Sequence, residues 1–178
     1  MKKLVLSIIL VAAVLFSAGC TENTPRNSTG SDIGYGKSTD VKITSLKQIN
    51  TSLLKGPVFL KIGSKWCPVC RSMKPILEGL AAEYAGKATI ASADVDQNPE
   101  LAEYFKVEEI PDSCVIVGIE NGKYIYMQKD GNVSTDRSNA RMIGLNDTDE
   151  KNSTDKMMFE KVLNFALLRQ RNLNQDKE

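Results

Sequence analysis

Read as a pattern of apolar and polar positions, the chain divides into a short apolar segment, a polar stretch and a long region where strand and helix signatures alternate. Leu4 to Ala18 is almost wholly apolar behind Met1-Lys2-Lys3, broken only by Ser7 and Ser17. It is shorter than the ~20 residues a membrane-spanning helix needs, and it has the basic start and apolar middle of a secretory signal. Thr21 to Asp40 is rich in Ser, Thr, Asn and Gly and almost free of large apolar side chains. Such a stretch cannot offset the entropy of its own ordering and predicts a flexible tether. Its root-mean-square span would be roughly 25 Å.

From Val41 onward the pattern predicts folded elements. Val41-Lys42-Ile43 reads as a short edge strand. Ser45 to Leu54 reads as a helix with Ser45 as cap and Leu46, Ile49 and Leu53 on one face, stopped by Gly56-Pro57. Val58 to Ile62 is nearly continuously apolar, which predicts a central strand covered on both faces. Cys67 to Ala85 carries Met73, Ile76, Leu77, Leu80 and Tyr84 at helical spacing, with Pro75 expected to bend it. A strand over Ala88 to Val95 follows, then a helix capped by Asn98-Pro99 and carrying Leu101, Tyr104 and Phe105. Ser113 to Ile119 and Lys123 to Gln128 predict a hairpin turned by Asn121-Gly122. Residues 129–139 read as a polar loop or a lengthened hairpin, Arg141 to Leu145 as a strand, and Asn146 to Thr154 as a second polar loop. Phe159, Val162, Leu163, Ala166 and Leu167 mark a closing amphipathic helix, with a polar, fraying tail after Arg169.

The chemistry sits in Ser64-Lys65-Trp66-Cys67-Pro68-Val69-Cys70-Arg71. Two cysteines follow a strand and open a helix. A cysteine at a helix N-terminus meets free backbone N–H groups and the positive end of the helix dipole, which favour its thiolate. A second cysteine one turn on can attack a mixed disulfide and release it. The residues therefore point to thiol–disulfide exchange, with Cys67 attacking and Cys70 resolving. A zinc site would need about four ligands, usually with histidine or a second such pair. The chain has no histidine, and its other cysteines are the isolated Cys20 and Cys114. A structural disulfide is the other alternative, but so short a loop stabilises little.

Trp66-Cys67-Pro68-Val69-Cys70 resembles the active site of the thioredoxin family. Pro75, the run Asp94 to Ala102, the pair Ile110-Pro111 and Gly144 resemble further family landmarks in the same order, and the resemblance covers roughly Val41 to Arg169. It implies an α/β fold, a thioredoxin-like mixed sheet flanked by helices. It also implies a cis-proline loop against the CxxC pair, with the backbone of Ile110 beside Pro111 clamping an extended substrate. Trp66 would form a partly exposed platform, and Pro68 and Val69 would tune the pair. Several positions depart from the family pattern. Lys61, six residues before Cys67, stands where a buried acid is common, and Ser92 stands where its partner lysine is common, so that acid–lysine pair is expected to be absent. Lys61 either snorkels out along the sheet edge or favours a nearby thiolate. Asp112 replaces a commoner threonine and would add selectivity near the substrate or cap a turn. Cys114 is expected to be a buried, inert thiol rather than a third redox cysteine.

Composition narrows the setting. The chain has 178 residues and a formal net charge of +1, which fits one folded domain and gives no reason to expect nucleic-acid binding. Ser17-Ala18-Gly19-Cys20 resembles a lipobox, with Ser17 where leucine is usual. Lipidated Cys20 would then be the mature N-terminus, whereas ordinary cleavage near Ala18 would leave a free thiol. The expected organisation is a signal over 1–20, a linker over 21–40, a thioredoxin-like domain over 41–172 and a polar tail over 173–178. Sequons at Asn27, Asn50, Asn132, Asn146 and Asn152 suit a glycosylated, exported protein or simply an Asn-rich surface. The expected function is reduction of disulfides in exported proteins at the extracytoplasmic face of a membrane. The expected form is a lipid-anchored monomer without metal or organic cofactor, served by an electron partner in or beyond the membrane. An oxidase or isomerase, and a tethered binding module without turnover, stay open.

Overall fold

The structure, a computed structural model, describes residues 40–144 and 149–176. Seven strands form one mixed sheet: β1 (Val41–Lys42), β2 (Val58–Gly63), β3 (Thr89–Asp94), β4 (Asp112–Glu120), β5 (Lys123–Met127), β6 (Val133–Ser134) and β7 (Met142–Ile143). Their order is β1-β3-β2-β4-β5-β6, with β7 on β4. β1, β3 and β2 run parallel, while β4 is antiparallel to β2 and to β5. β7 pairs with Asp112 and Ser113, taking up β4 where β5 leaves off. The helices are α1 (Leu46–Leu53), α2 (Pro68–Ser72), α3 (Lys74–Glu83), α4 (Pro99–Tyr104) and α5 (Asp149–Gln175), with a 3-10 turn at Ser138–Ala140.

Continuous apolarity in β2 has the expected cause: every residue of the strand is buried. Phe59 faces a core with Met73, Leu77, Leu80, Phe159 and Leu163. Its neighbours Leu60 and Ile62 face a second core with Ile49, Leu101 and Phe105. Alternation along the strand thus serves both faces of the sheet. Asn121 and Gly122 take φ of 50° and 75°, the left-handed pair that a two-residue hairpin of this twist requires.

Several boundaries differ from expectation. The helix over Cys67 to Ala85 is not one bent helix but two, broken at Met73. Pro75 has no N–H to donate to the preceding turn, and the chain restarts with Pro75 in the first turn of α3. Ser45 and Asn98 occupy N-cap positions, yet neither side chain makes a cap bond. Gln48 instead reaches back from α1 to accept the Thr44 N–H at 2.6 Å, and Asn98 Nδ2 donates to the Asp94 carbonyl at 3.1 Å. Residues 129–139 form a lengthened hairpin through β6, which pairs with β5. The polar loop expected to reach Thr154 already gives way to α5 at Asp149, and the tail expected to fray from Arg169 stays helical to Gln175. Arg169 to Gln175 contains neither Gly nor Pro, so nothing in it ends a helix.

Asp112 neither meets the substrate side nor caps a turn. It is wholly buried and registers with Ile62, on the face away from Phe59. Arg137, carried by the lengthened hairpin, grips it with both terminal nitrogens: Nη2 donates to Oδ1 at 2.7 Å and Nη1 to Oδ2 at 3.0 Å. Arg137 Nη1 also donates to the Phe105 carbonyl at 2.9 Å, and its guanidinium lies 5.5 Å from the Phe105 ring centroid. Arg141 Nε adds a third contact to Asp112 at 3.2 Å. Replacing Asp112 by Ala leaves two largely buried guanidinium groups without their anion. Denaturant unfolding of Asp112→Ala should show a loss of about 3–5 kcal/mol; a loss no larger than that of an exposed pair would mean the hairpin is not held this way.

Candidate functional site

β2 ends at Gly63, and the chain turns through Ser64, Lys65 and Trp66 into α2. Cys67 is the N-cap residue of α2 with extended backbone, φ −71° and ψ 116°. Its sulfur accepts the Cys70 N–H at 3.1 Å, and its own N–H is donated to Ser64 Oγ at 3.3 Å. Pro68 follows in the first turn, where a missing N–H leaves nothing unsatisfied. Arg71 Nη1 donates back to the carbonyls of Lys65 at 3.1 Å and Trp66 at 3.0 Å, which ties down the loop ahead of the sulfurs. Both Cys67 and Cys70 are free thiols and nearly buried, whereas Trp66 is 65% exposed and Val69 half-buried.

The Ile110–Pro111 peptide bond is cis. Cys67 Sγ lies 3.9 Å from the Ile110 carbonyl, so the loop and the first thiol are in contact. Two glycines make the approach possible. A Cβ on Gly144 would stand 2.9 Å from Met73 Sδ and 3.0 Å from Pro111 Cγ. A Cβ on Gly63 would stand 2.7 Å from Cys70 Sγ and 2.6 Å from Lys61 Nζ. A larger residue at either position would force Cys70 and Lys61, or Met73 and Pro111, to shift.

Lys61 does not snorkel along a sheet edge, because β2 is an inner strand. The side chain is buried and its ammonium lies under Gly63 beside Cys70. Burial pushes the Cys70 thiol up to about 11 from its ordinary 9.0, helped by its contact with Cys67. The Ser64 backbone and the Lys61 charge act in the opposite direction but are outweighed. The structure thus brings Cys67, Cys70, Pro68, Ile110, Pro111 and Lys61 together, with Trp66 and Val69 flanking the pair. Cys114 is not among them. It lies on the far face, fully buried, and burial pushes its thiol up as well. Cys20 lies outside the described residues, as do Asn27 and Asn146.

Four contributors escaped sequence reasoning. Arg71, Gly63 and Arg137 act through contacts that spacing alone does not reveal. Asp40 ends the predicted tether, yet its carboxylate accepts hydrogen bonds from Ser92 Oγ and, at 2.8 Å, from Lys42 Nζ. The only signal for it was an acid directly ahead of an edge strand. Among the described residues no group of three or more His, Cys, Asp or Glu could hold a metal ion, and no helix is long and apolar enough to cross a membrane.

The profile of the thioredoxin family matches residues 40–143. A thioredoxin of Staphylococcus aureus is 38% identical over 71 residues, which is 40% of this chain and 67% of that protein. A bifunctional thioredoxin reductase/thioredoxin of Mycobacterium leprae is 39% identical over 62 residues, 35% of this chain; the match spans only 14% of that longer protein. Among solved structures, thioredoxin from Trypanosoma brucei brucei aligns over 74% of this chain and 97% of its own, with a TM-score of 0.49 and 16% identity.

The raised Cys70 value has a sign that stability can test. A group whose folded value lies above its unfolded one gives stability that is fully present below the unfolded value and is lost as pH rises through the folded one. The reduced protein should therefore lose stability between pH 9 and about 11, and Cys70→Ser should lose less over the same range. Parallel denaturation curves across this range would refute the burial account.

Proposed function

The chain belongs to the thioredoxin family, and from that footing we propose that it is a membrane-anchored oxidoreductase that reduces disulfides in exported proteins. Members of the family carry out thiol–disulfide exchange, and the observation that carries the reading here is the free thiol pair of Cys67 and Cys70 set against the cis Ile110–Pro111 backbone. The Cys67 thiolate attacks one sulfur of a substrate disulfide. A mixed disulfide forms and the other substrate sulfur leaves as a thiolate. Cys70 then loses its proton to solvent and attacks the Cys67 sulfur. The substrate leaves as its second thiolate, and two electrons have passed to it as the Cys67–Cys70 disulfide forms. Ile110 offers backbone to an extended substrate beside Pro111, and exposed Trp66 offers an apolar platform.

Burial of Cys70 supports the reducing direction. A resolving thiol that resists ionisation does not stabilise the reduced pair as a thiolate, and a less stabilised dithiol is the stronger reductant. A dithiol-class electron partner in or beyond the membrane would restore the pair. Lys61 supports a second reading: its charge beside Cys70 favours the thiolate and hence the reduced form, as an oxidase or isomerase would need. The anchor is proposed from the lipobox-like Ser17-Ala18-Gly19-Cys20 and places the domain on the extracytoplasmic face. The domain is proposed to act as a monomer.

Equilibration of the full chain against thiol buffers should give a potential near about −270 mV, and a value near about −120 mV would transfer the assignment to an oxidase. Wild-type protein should accelerate reduction of insulin by a dithiol, and Cys67→Ser should abolish this. A wild type that fails to cycle while still retaining unfolded peptides would be a binding module instead. In cells, Cys20→Ala should move the protein out of the membrane fraction; unchanged fractionation would remove the lipid anchor from the proposal.

A further inference from the structure

The end of the domain opposite the thiol pair carries a cavity of about 550 Å³ that the redox chemistry does not use. Three segments meet there. Lys55 follows α1, Lys87 lies between α3 and β3, and α5 passes with Asn164, Leu168 and Arg171 along one side. The segments are held close. A Cβ on Gly56 would stand 2.6 Å from the Lys87 carbonyl oxygen and 3.6 Å from Gln170 Oε1. The Pro57 carbonyl accepts the Thr89 N–H at 2.8 Å, so the cavity lies where β2 and β3 begin. β2 runs from there for 6 residues before the chain turns toward Cys67. At about 3.3 Å per residue, that separates the cavity from the motif by roughly 20 Å.

This end is cationic and apolar at once. Lys55, Lys87 and Arg171 are exposed, and no acidic side chain lines the cavity. Among the described residues none of the three cations has an ion-pair partner. Leu54 is 86% exposed beside Lys55, and Leu168 and Leu173 of α5 are half-exposed. Leu168 and Arg171 are one turn apart and share a helix face. Cations just past helix ends are accounted for by the carbonyl charge there, but that charge gives no reason for leucines among them. Water suits the cations and not the leucines. The interface of a bilayer with anionic headgroups suits both.

We propose that this end of the domain rests on an anionic lipid surface, with Lys55, Lys87 and Arg171 among the headgroups and Leu54, Leu168 and Leu173 at their apolar border. The inference rests on the membrane anchor of the proposed function and adds an orientation to it. β1 runs parallel to β3 and β2, so the chain passing through Asp40 enters the sheet from the end that carries the patch. Anchor and patch are then two linked attachments, and the first raises the effective concentration of the second at the surface. A single acyl chain binds a membrane only marginally, and a basic patch is the kind of second signal that completes the hold. The same parallel strands carry the redox pair at their far ends. Cys67, Trp66 and the Ile110–Pro111 loop therefore face outward, toward exported substrates.

Trp66 is the only tryptophan of the chain and reports on the thiol end. Leu54→Trp in a Trp66→Phe background reports on the other. Each full-length protein is reconstituted into vesicles of phosphatidylcholine brominated near the headgroup, which quenches tryptophan on contact, with and without phosphatidylglycerol. With phosphatidylglycerol, tryptophan at position 54 should be quenched and Trp66 should not. The quenching should disappear at about 1 M salt, where the screening length is about 3 Å. Lys55→Gln, Lys87→Gln and Arg171→Gln should each weaken the hold about fivefold. The triple variant should lose it while reducing insulin like wild type. Quenching of Trp66 in place of position 54, or quenching at 54 that ignores both phosphatidylglycerol and the triple substitution, overturns the proposal. Inorganic phosphate that relieves the quenching more than chloride at equal ionic strength would assign the cavity to a soluble anion. A change at position 54 that grows with protein concentration in lipid-free detergent would assign the face to a second copy of the chain. Either result also overturns the proposal. Flotation separates the face from the anchor. Protein that floats only with phosphatidylglycerol vesicles contradicts the anchor and keeps the face. Protein that floats with both kinds yet shows no quenching at 54 keeps the anchor and overturns the face, and floating with neither overturns both.

Discussion

The reactive end of this molecule depends on how closely three pieces of backbone can approach one another. The end of β2, the first turn of α2 and the cis Ile110–Pro111 loop come together, with the side chains of Lys61, Cys70, Met73 and Pro111 packed against two glycines. Gly63 and Gly144 are the positions that permit it: a methyl group at either would lie within about 3 Å of Cys70, Lys61, Met73 or Pro111. Contact between Cys67 and the Ile110 carbonyl, burial of Cys70 and the position of Lys61 all follow from that approach. The thiol pair is therefore reactive in a particular way because of where the backbone lies, and the cysteines supply only the atoms.

Close approach has an electrostatic cost at Cys70. Cys67 sits at the cap of α2, where its sulfur already accepts an N–H. Cys70 sits one turn deeper, where loss of water penalises its charge. In the proposed exchange, Cys70 keeps its proton until a mixed disulfide at Cys67 brings a reason to release it. Lys61 moderates that penalty without removing it.

Much of this was legible in the sequence, and the reasons are physical. Burial on both faces writes a continuous apolar run, so β2 could be read directly. Asn121-Gly122 favours a tight hairpin because both residues tolerate the positive φ that such a turn requires. The spacing of Cys67 and Cys70 between a strand and a helix points to thiol–disulfide exchange ahead of zinc binding or a structural disulfide. What escaped was of another kind. The break at Met73 arises because the proline falls early enough for a new helix to begin around it, which spacing does not distinguish from a bend. Asp112 looked like a substrate-side residue because it follows Pro111, but strand alternation turns successive side chains to opposite faces. Its partner Arg137 comes from a hairpin 25 residues later, a distance at which no local pattern operates. Asp40 was hidden by its neighbours, since a polar stretch gives no sign of which of its residues is the first to be held.

That alternation at the start of β4 gives the lengthened hairpin a mechanical meaning. Pro111 and Asp112 are joined by one peptide bond, yet the first faces the thiols and the second is bolted through Arg137 to a segment on the other side of the sheet. The jaw that would receive a substrate is thus anchored from behind by Arg137 of the lengthened hairpin. Divergence among relatives in the length or sequence of that hairpin would retune the shape of the groove while leaving the redox pair intact. Specificity and chemistry can then evolve on separate parts of the chain.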